Sequence, residues 1–148
     1  MRGAQLCCIL LALCALLLAG CSSQNLRADV DPSSNLAEMS SFYVQRLPAD
    51  TRGVEKLIAA ELLSLGKRAS HGDTSTVDPE VDAIVTYIDK WMWDITMYMI
   101  ELRVEIRDPD TRYILASGES YRTSLVRKNP EEMVKEVIAE IMNEAEGL

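Results

Sequence analysis

The segment from Tyr98 to Arg107 constrains the fold more than any other part of the sequence, because its side chains change character at every second position. One series is apolar: Tyr98, Ile100, Leu102, Val104 and Ile106. The other series is mostly charged: Met99, Glu101, Arg103, Glu105 and Arg107. Successive side chains of a β-strand point to opposite faces of the sheet, so this period of two predicts a strand with one face on the core and the other in water.

A turn signal directly after this segment predicts a β-hairpin. The run Asp108-Pro109-Asp110-Thr111 places Asp at the first position and Pro at the second position of a type I turn. The partner strand is expected from about Tyr113 to Thr123, where Gly118 indicates a bulge or a close approach of the backbone to another element. The sheet is therefore expected to be antiparallel at this hairpin.

Three more stretches have the composition of strands. Aromatic or β-branched residues and the turn residues around them predict strands over residues 26–31, 41–47 and 83–88, and the alternating strand begins at about Ile95. The candidate points of reversal before Ile95 are Asp89-Lys90 and Asp94, and neither is a strong turn signal. Residues 69–81 have the composition of a loop.

Apolar residues at helical spacing predict two amphipathic helices. The first has an apolar stripe from Val54 to Leu65, with Asp50 or Thr51 as its N-cap and Gly66 at its end. The second begins at Asn129-Pro130-Glu131-Glu132, which supplies an N-cap, a proline at N1 and a glutamate at N3. Its stripe is Met133, Val134, Val137, Ile138, Ile141 and Met142. Each helix therefore has one side suited to a core.

These elements predict an α+β fold. The expected architecture is a two-layer sandwich, with an antiparallel sheet of four or five strands and two amphipathic helices on one face. It would occupy a single domain over residues 26–148. The open face of the sheet would carry Glu101, Arg103, Glu105 and Arg107, whose mixed charges suit water or a polar partner.

The start of the chain has the pattern of a secretory signal. Arg2 precedes an apolar run from Leu6 to Ala19, which is shorter than the about 20 residues that a membrane-spanning helix needs. The run closes with Leu18-Ala19-Gly20-Cys21, which resembles the lipobox of bacterial lipoproteins. That resemblance implies cleavage between Gly20 and Cys21, a diacylglyceryl group on the Cys21 thiol and an acyl chain on its new amino group. An uncleaved apolar anchor and an ordinary secretory signal are the alternatives.

A lipidated Cys21 would determine where the protein resides. Two or three acyl chains hold a protein on a membrane almost permanently. Ser22 stands where an aspartate would resemble the inner-membrane retention signal of Gram-negative lipoproteins, so we expect the periplasmic face of the outer membrane. Residues 21–25 would form a short tether that keeps the domain close to the membrane. Beyond this covalent lipid, no cofactor is expected.

Charge and cysteine content argue against several classes of function. Removal of the first 20 of 148 residues would leave 128, and 14 of the 15 basic residues would remain against all 23 acidic ones, a formal net charge of −9. Such a balance argues against binding to nucleic acid, or to anionic lipid through a basic patch. Of the four cysteines only Cys21 would remain, with its thiol occupied by lipid. Disulfide bonds, thiolate metal sites and cysteine catalysis are therefore not expected.

The sequence has no constellation typical of an enzyme, and the protein is predicted not to be one. His71, the one histidine, lies in the predicted loop with only Asp73 nearby, so a solvated histidine is favoured over a metal ligand. Turn chemistry already explains the pair Asp108 and Asp110. Neither a phosphate-binding glycine loop nor the spacing of a zinc site is present in the sequence.

The candidate interaction surface lies in a segment rich in aromatic residues and methionine, which holds both tryptophans of the chain. Its selected residues are Trp91, Trp93, Met97 and Met99. In an extended backbone Trp91 and Trp93 point to the same side. One interpretation makes them exposed binding anchors on the open face of the sheet, because Trp dominates binding hot spots and Met adapts to varied ligands. The other interpretation, which is favoured because aromatic stripes are more often core, is that they complete the core at the edge of the sheet or under the predicted loop.

Several motifs lie between Asp82 and Arg122: Asp82-Ala83-Ile84-Val85-Thr86-Tyr87, the run from Trp91 to Tyr98, the turn from Asp108 to Thr111, and Ala116-Ser117-Gly118. Together they resemble the family of small bacterial envelope lipoproteins called DUF4136. The resemblance implies an α+β envelope domain and brings no established activity with it.

Two hypotheses of function follow from these features. The first is a non-enzymatic outer-membrane lipoprotein whose periplasmic domain binds or scaffolds another envelope component, an envelope protein of unidentified kind. The alternative is a periplasmic carrier of a lipid or other apolar ligand, held in a groove near Trp91 and Trp93. Both hypotheses include attachment to the membrane through the lipid on Cys21, and neither includes contact with nucleic acid.

Overall fold

The computed structural model describes residues 24–74 and 80–148. In these ranges the strands are β1 (Gln24–Val30), β2 (Ser41–Gln45), β3 (Arg68–Gly72), β4 (Ala83–Asp94), β5 (Thr96–Arg107) and β6 (Ile114–Arg122). The α-helices of the same ranges are α1 (Val54–Ser64) and α2 (Pro130–Glu146). None of these described helices has the length and apolar character needed to cross a membrane. The apolar run and Cys21 lie outside the described residues, so the lipobox and its cleavage site remain predictions.

The strands form one mixed sheet in the order β1-β6-β5-β4-β2-β3. The four strands β1, β6, β5 and β4 pair in antiparallel fashion, whereas β2 is parallel to both β4 and β3. The predicted antiparallel sheet of four or five strands is therefore wrong in strand number and in the direction of two pairings. The α+β class and the two amphipathic helices are confirmed.

The strand β3 was not predicted from the sequence. Residues 69–81 have the composition of a loop, yet Arg68 to Gly72 pair with β2 through contacts such as Phe42 with Ala69. Since α1 connects β2 to β3, the crossover brings these two strands into parallel alignment. An edge strand has one neighbour and needs few apolar residues, and polar side chains there discourage pairing with other chains. The polar composition that indicated a loop is thus compatible with an edge strand.

Both helices pack on the same face of the sheet and share one core with it. The predicted stripe of α2 is buried in full: Met133, Val134, Val137, Ile138, Ile141 and Met142. From the stripe of α1, Val54, Ile58 and Leu62 are buried, whereas Leu65 is exposed just past the end of the helix. Full burial of a large aliphatic side chain stabilises a fold by about 1.5–3 kcal/mol. These side chains therefore hold the helical layer on the sheet.

The close approach predicted at Gly118 is the contact between β6 and α2. A Cβ atom at Gly118 would lie 2.7 Å from Cγ1 of Ile141 and 3.0 Å from Cγ1 of Val137. Because glycine has no side chain, the helix can lie directly on the strand. The irregularity in the β5–β6 pairing is elsewhere, between Ile106 and Arg107.

A buried carboxylate fixes the start of α1 against β4. Asp50, one of the two predicted caps, accepts hydrogen bonds from the backbone N–H groups of Arg52, Gly53 and Val54 at 2.6, 3.1 and 2.7 Å. The hydroxyl of Tyr87 on β4 also donates to Asp50, at 2.7 Å. Burial alone would raise the pKa of Asp50, but these donors outweigh burial and lower its pKa. Burial, above all, raises the pKa of Tyr87 far above its ordinary value, so its hydroxyl remains a donor.

Two local predictions about turns and caps are confirmed. Oδ1 of Asp108 accepts hydrogen bonds from the backbone N–H groups of Asp110 and Thr111, at 3.1 and 2.7 Å, and so closes the β5–β6 turn. At the start of α2, Oδ1 of Asn129 accepts from the backbone N–H of Glu132 at 2.8 Å, and the Glu132 carboxylate accepts from the Asn129 N–H at 3.2 Å. This reciprocal pair is a capping box.

Candidate interaction surface at the end of the β4–β5 ribbon

The strands β4 and β5 extend beyond their neighbours as a two-stranded ribbon. Among the described residues, β2 pairs with β4 as far as Val85, and β6 pairs with β5 as far as Glu101. Past the pair of Lys90 with Glu101, β4 and β5 pair with each other alone in this part of the chain. We call residues 91–99 the ribbon. Its cross-strand pairs are Trp91–Met99, Met92–Tyr98, Trp93–Met97 and Asp94–Thr96.

A bulge at the base of the ribbon changes which residues of β5 face the core. Lys90 lies opposite Glu101 but Trp91 lies opposite Met99, which leaves Ile100 as an extra residue in β5. On the Arg107 side of the bulge the even-numbered residues of β5 face the core, whereas on the ribbon side it is the odd-numbered Met99 that is fully buried in the core. The uninterrupted alternation expected from the sequence is therefore wrong at this point.

The inner half of the predicted surface belongs to the core. Met99 is fully buried, and Trp91 packs against the core cluster. The indole Nε1 of Trp91 donates to Oδ2 of Asp89 at 2.6 Å, and the guanidinium carbon of Arg52 lies 4.2 Å from the centroid of the Trp91 ring. A cation–π contact of this kind contributes about 0.5–2 kcal/mol. For Trp91 and Met99 the core interpretation is correct.

The outer half of the predicted surface is exposed. Trp93 is 68% exposed, and Met97, directly opposite it, is 44% exposed. Trp93 is two residues from Trp91 in β4, and Met97 is two residues from Met99 in β5. All four side chains are therefore on the same side of the ribbon. That side continues the helix-covered face of the sheet past the helices, rather than the open face. Of the four selected residues, only Trp93 and Met97 are therefore exposed and remain candidates for binding anchors.

Sequence reasoning missed two more exposed apolar residues of the ribbon. Met92 is 46% exposed and Ile95 is 85% exposed. Ile95 forms the reversal between β4 and β5 and has a φ of +60°. This left-handed conformation suits glycine or asparagine and is an outlier for a β-branched residue. The sequence did contain one signal of an unusual site, because Ile95 occupies a position of reversal where a turn residue is expected.

Arg127, from the segment between β6 and α2, supports the ribbon. Its guanidinium carbon lies 4.9 Å from the centroid of the Tyr98 ring, and its Nη1 donates to Oγ1 of Thr96 at 2.9 Å. Its Nη2 is 3.8 Å from Oδ2 of Asp94. Asp94 is the one charged residue of the ribbon, so this ion pair leaves the surface without net charge.

The domain begins at the same end of the sheet. Gln24 lies opposite Arg122, and the adjacent residue Tyr121 lies opposite Glu101 at the base of the ribbon. Nη1 of Arg122 donates to Oε1 of Gln24 at 2.5 Å and holds this start in place. Because β1 begins at Gln24, it includes the last two residues of the predicted tether. The chain therefore enters the domain beside the ribbon.

The open face of the sheet carries paired charges, as predicted. Glu119 accepts a hydrogen bond from Arg103 at 2.6 Å and another from Arg27 at 3.1 Å. Lys90 forms an ion pair with Glu101 at 2.8 Å. The hydrogen bond from Arg103 is the main reason why the pKa of Glu119 is lowered. These groups satisfy one another, and exposed pairs of this kind contribute at most about 1 kcal/mol each.

Five depressions in the described part of the chain lie away from the predicted site. Five surface depressions of 250–600 Å³ in the described part of the chain are lined by residues other than the four that the sequence selected. His71 borders the depression of about 600 Å³ and lies on β3 rather than in a loop. Within residues 24–74 and 80–148, no group of three or more His, Cys, Asp or Glu is placed to hold a metal ion.

The order of strands and the pair of helices define the class of fold, a two-layer α+β domain with helices on one face of a mixed sheet. Solved structures share it. PelC from Paraburkholderia phytofirmans, a dodecamer, has a TM-score of 0.55 at 12% identity, over 83% of this chain and 97% of that chain. A variant of PelC has a TM-score of 0.58 at 11% identity, over 80% and 97% of the two chains. A DUF4136 family protein from Bacteroides thetaiotaomicron has a TM-score of 0.51 at 8% identity, over 79% of this chain and 93% of that chain.

No family model matches the chain, and the curated proteins gave no match to it. Identities as low as those of the solved structures show a common fold and nothing more. For the fold, the resemblance to DUF4136 domains that the sequence indicated is confirmed.

Proposed function

We propose that this chain is a non-enzymatic, lipid-anchored protein of the cell envelope, and that its domain binds or scaffolds another envelope component through the exposed end of the ribbon. The observation that carries the proposal is this end itself. Met92, Trp93, Ile95 and Met97 expose large apolar side chains within six residues of an acidic chain. Contiguous exposed apolar side chains on a folded domain mark sites of interaction.

The backbone at Ile95 supports the proposal. A left-handed conformation costs an ordinary residue about 1–2 kcal/mol, and strain of this kind persists where function requires the residue. Glycine or asparagine would form the same reversal without that cost. The isoleucine is therefore better explained by what its side chain contacts outside the domain than by the turn.

The amino-terminal sequence supports attachment to a membrane. Leu18-Ala19-Gly20-Cys21 has the residues of a lipobox and follows an apolar run of suitable length. Ser22 favours the outer membrane, with the domain in the periplasm. Gln24, the first described residue of β1, is only three peptide units from Cys21 in the sequence. The domain would therefore work close to the membrane surface.

A carrier function has no comparable support. It needs a groove near Trp91 and Trp93, but Trp91 and Met99 fill the core instead. The described depressions also lie elsewhere. We therefore propose contact at an exposed surface rather than transport in a groove.

Photo-crosslinking of the full-length chain in a Gram-negative host tests the proposal. With a photoreactive amino acid in place of Ile95, we expect acylated Cys21, recovery in the outer-membrane fraction, and a covalent adduct with an envelope protein or lipid. A second copy of the chain is among the proteins to look for, because PelC, which shares the fold, is a dodecamer.

The matched control places the photoreactive amino acid at Tyr113. This side chain is also exposed and apolar, but it lies by the β5–β6 turn at the other end of the sheet. We expect no specific adduct there. Equal adducts at the two positions, or a Cys21 without acyl chains, contradict the proposed function.

A further inference from the structure

We propose that the component against the ribbon is the phospholipid bilayer itself. The side chains of Met92, Trp93, Ile95 and Met97 would enter the interface of the membrane that holds the lipid on Cys21. This inference rests on the proposed lipid anchor and names what the ribbon contacts. It gives the domain two attachments to the membrane and therefore a fixed orientation.

Distance is the first argument. The three peptide units from Cys21 to Gln24 can span at most about 10 Å. Lys90 is level with Asn25, so Trp91 is level with Gln24. Beyond that level the ribbon continues for the three residues from Met92 to Asp94, which is about 10 Å along the strand. The ribbon is thus as long as the fully extended tether. When it points toward the membrane, Ile95 reaches the level of Cys21 or passes below it.

Orientation is the second argument. A tether this short keeps the Gln24 end of the sheet next to the membrane, and the ribbon projects from that end. If the domain lay on its outer strand β1 instead, the exposed Arg27 and Asp29 would contact the bilayer. Burying these charged side chains in an apolar layer is unfavourable. The end that carries the ribbon is therefore the side that suits the membrane.

Chemical character is the third argument. Trp is enriched at the boundary between headgroups and acyl chains, because its ring is apolar and its N–H needs a polar partner. Met97 provides apolar surface next to Trp93 on the same side of the ribbon, while Ile95 adds apolar surface at its end and Met92 on its other side. The one charge of the ribbon, on Asp94, is paired with Arg127. The end of the ribbon can thus enter the interface without an unpaired charge.

The strain at Ile95 is an independent observation. The most exposed large apolar residue of the described chain also has a left-handed backbone, with φ of +60°. In water neither feature stabilises the domain. In a bilayer interface the side chain is removed from water, so the unfavourable backbone conformation is offset by the contact.

Tryptophan quenching tests the inference on the full-length lipidated protein, reconstituted in vesicles of phosphatidylethanolamine and phosphatidylglycerol. Phospholipids brominated on their acyl chains quench tryptophan at the interface. Because Trp93 is exposed and Trp91 packs against the core, we expect quenching of up to about half of the emission. The variant Trp93→Phe should lose most of that quenching. No quenching in the unaltered protein, or quenching that survives Trp93→Phe, overturns the inference.

Thiol labelling gives a second measure. Of the four cysteines only Cys21 would remain after cleavage, with its thiol blocked by lipid, so Ile95→Cys and the control Tyr113→Cys each introduce one reactive thiol. In vesicles, with rates normalised to those of the denatured proteins, we expect a maleimide to label Ile95→Cys at least about tenfold more slowly than Tyr113→Cys, because the reactive thiolate needs water. Equal normalised rates overturn the inference.

The two proposals fail in different ways. Mass spectrometry that finds Cys21 without acyl chains removes the anchor and contradicts both. An acylated Cys21, a photo-adduct between position 95 and an envelope protein, and no quenching by brominated lipid together overturn the membrane contact and leave the proposed function standing. Acylation together with quenching that depends on Trp93 supports both.

Discussion

At the scale of single residues, Asp82 links the start of β4 to the start of β2. Its Oδ2 accepts hydrogen bonds from the backbone N–H groups of Ser40 and Ser41, both at 2.8 Å. The N–H of Ser40 is the first cause, and the hydroxyl and N–H of Ser41 the next, of a pKa lowered to about 2. An aspartate in the unfolded chain titrates near pH 3.9, at about its ordinary value. The folded state therefore prefers the ionised form.

This preference makes the contribution of Asp82 dependent on pH. Because the folded pKa is lowered, its contribution is fully present above about pH 4 and is lost as the pH falls toward 2. We expect urea unfolding midpoints to fall over this window, and to fall less in Asp82→Asn, which should be less stable than the unaltered protein at pH 6. Asp110→Asn, in the exposed β5–β6 turn, is the control and should keep the full pH dependence. An identical pH dependence in Asp82→Asn would contradict this assignment.

Gly118 permits a prediction about packing. A methyl group there would lie within 3.0 Å of Ile141 and Val137, so α2 would have to move away from β6. We expect Gly118→Ala to lower the free energy of unfolding by about 1–3 kcal/mol, as overpacking of a core does. Ile141→Val removes one crowding methyl group, so the double variant should lose less than the sum of the two single changes. Strict additivity in urea unfolding would show that the two sites do not share this contact.

At the scale of elements, the sequence predicts the ribbon in part. The alternation up to Arg107 and the turn at Asp108 predict β5 and its hairpin with β6. No glycine or proline marks the bulge at Ile100, so the change of face that buries Met99 could not be predicted. Two-residue hairpin reversals are recognised by Asn-Gly or Asp-Gly, and the reversal at Ile95 has neither. The position of this reversal could not be predicted, because Ile95 is not a typical turn residue.

Replacement of Ile95 should separate the stability of the ribbon from its proposed contact with the bilayer. Asparagine tolerates the left-handed backbone, so Ile95→Asn should raise the free energy of unfolding by about 0.5–1 kcal/mol. The same change removes apolar surface and should reduce quenching by brominated lipid. Ile95→Val keeps the β-branch and should gain no stability. Urea unfolding of the full-length protein in detergent compares the two variants, and a less stable Ile95→Asn would contradict the strain that we infer.

At the scale of the whole molecule, the layers could be predicted and the topology could not. The stripes from Val54 and from Met133 each identify one buried helix face, and together with the alternating strand they predict helices on a sheet. The parallel pairings of β2 depend on β3, whose residues Arg68 to Gly72 carry no strand pattern. The division of the predicted surface into a buried half and an exposed half also could not be predicted. Trp91 and Trp93 have the same residue type and face the same side, and only the extent of the helical layer decides that one is covered and the other exposed.

The length of the tether offers a prediction about the orientation of the whole molecule. Insertion of 20 Gly and Ser residues between Ser23 and Gln24 would give a flexible tether with an average length of about 25 Å. The lipid would still hold the protein on the vesicle but would no longer hold the ribbon at the interface. The effective concentration of the ribbon at the bilayer would therefore fall. We expect quenching of Trp93 by brominated lipid to decrease without disappearing, because the apolar side chains retain their own affinity for the interface.

Combining the long tether with Ile95→Asn separates the two attachments. The long tether alone weakens the contact through distance, and Ile95→Asn alone weakens it through lost apolar surface, while the other attachment remains in each case. With both changes each attachment is weakened, so we expect the quenching to fall below that of either single change while Cys21 stays acylated. Quenching in the combined variant equal to that with the long tether alone would mean that Ile95 makes no contact with the lipid, and the two-point attachment would then be wrong.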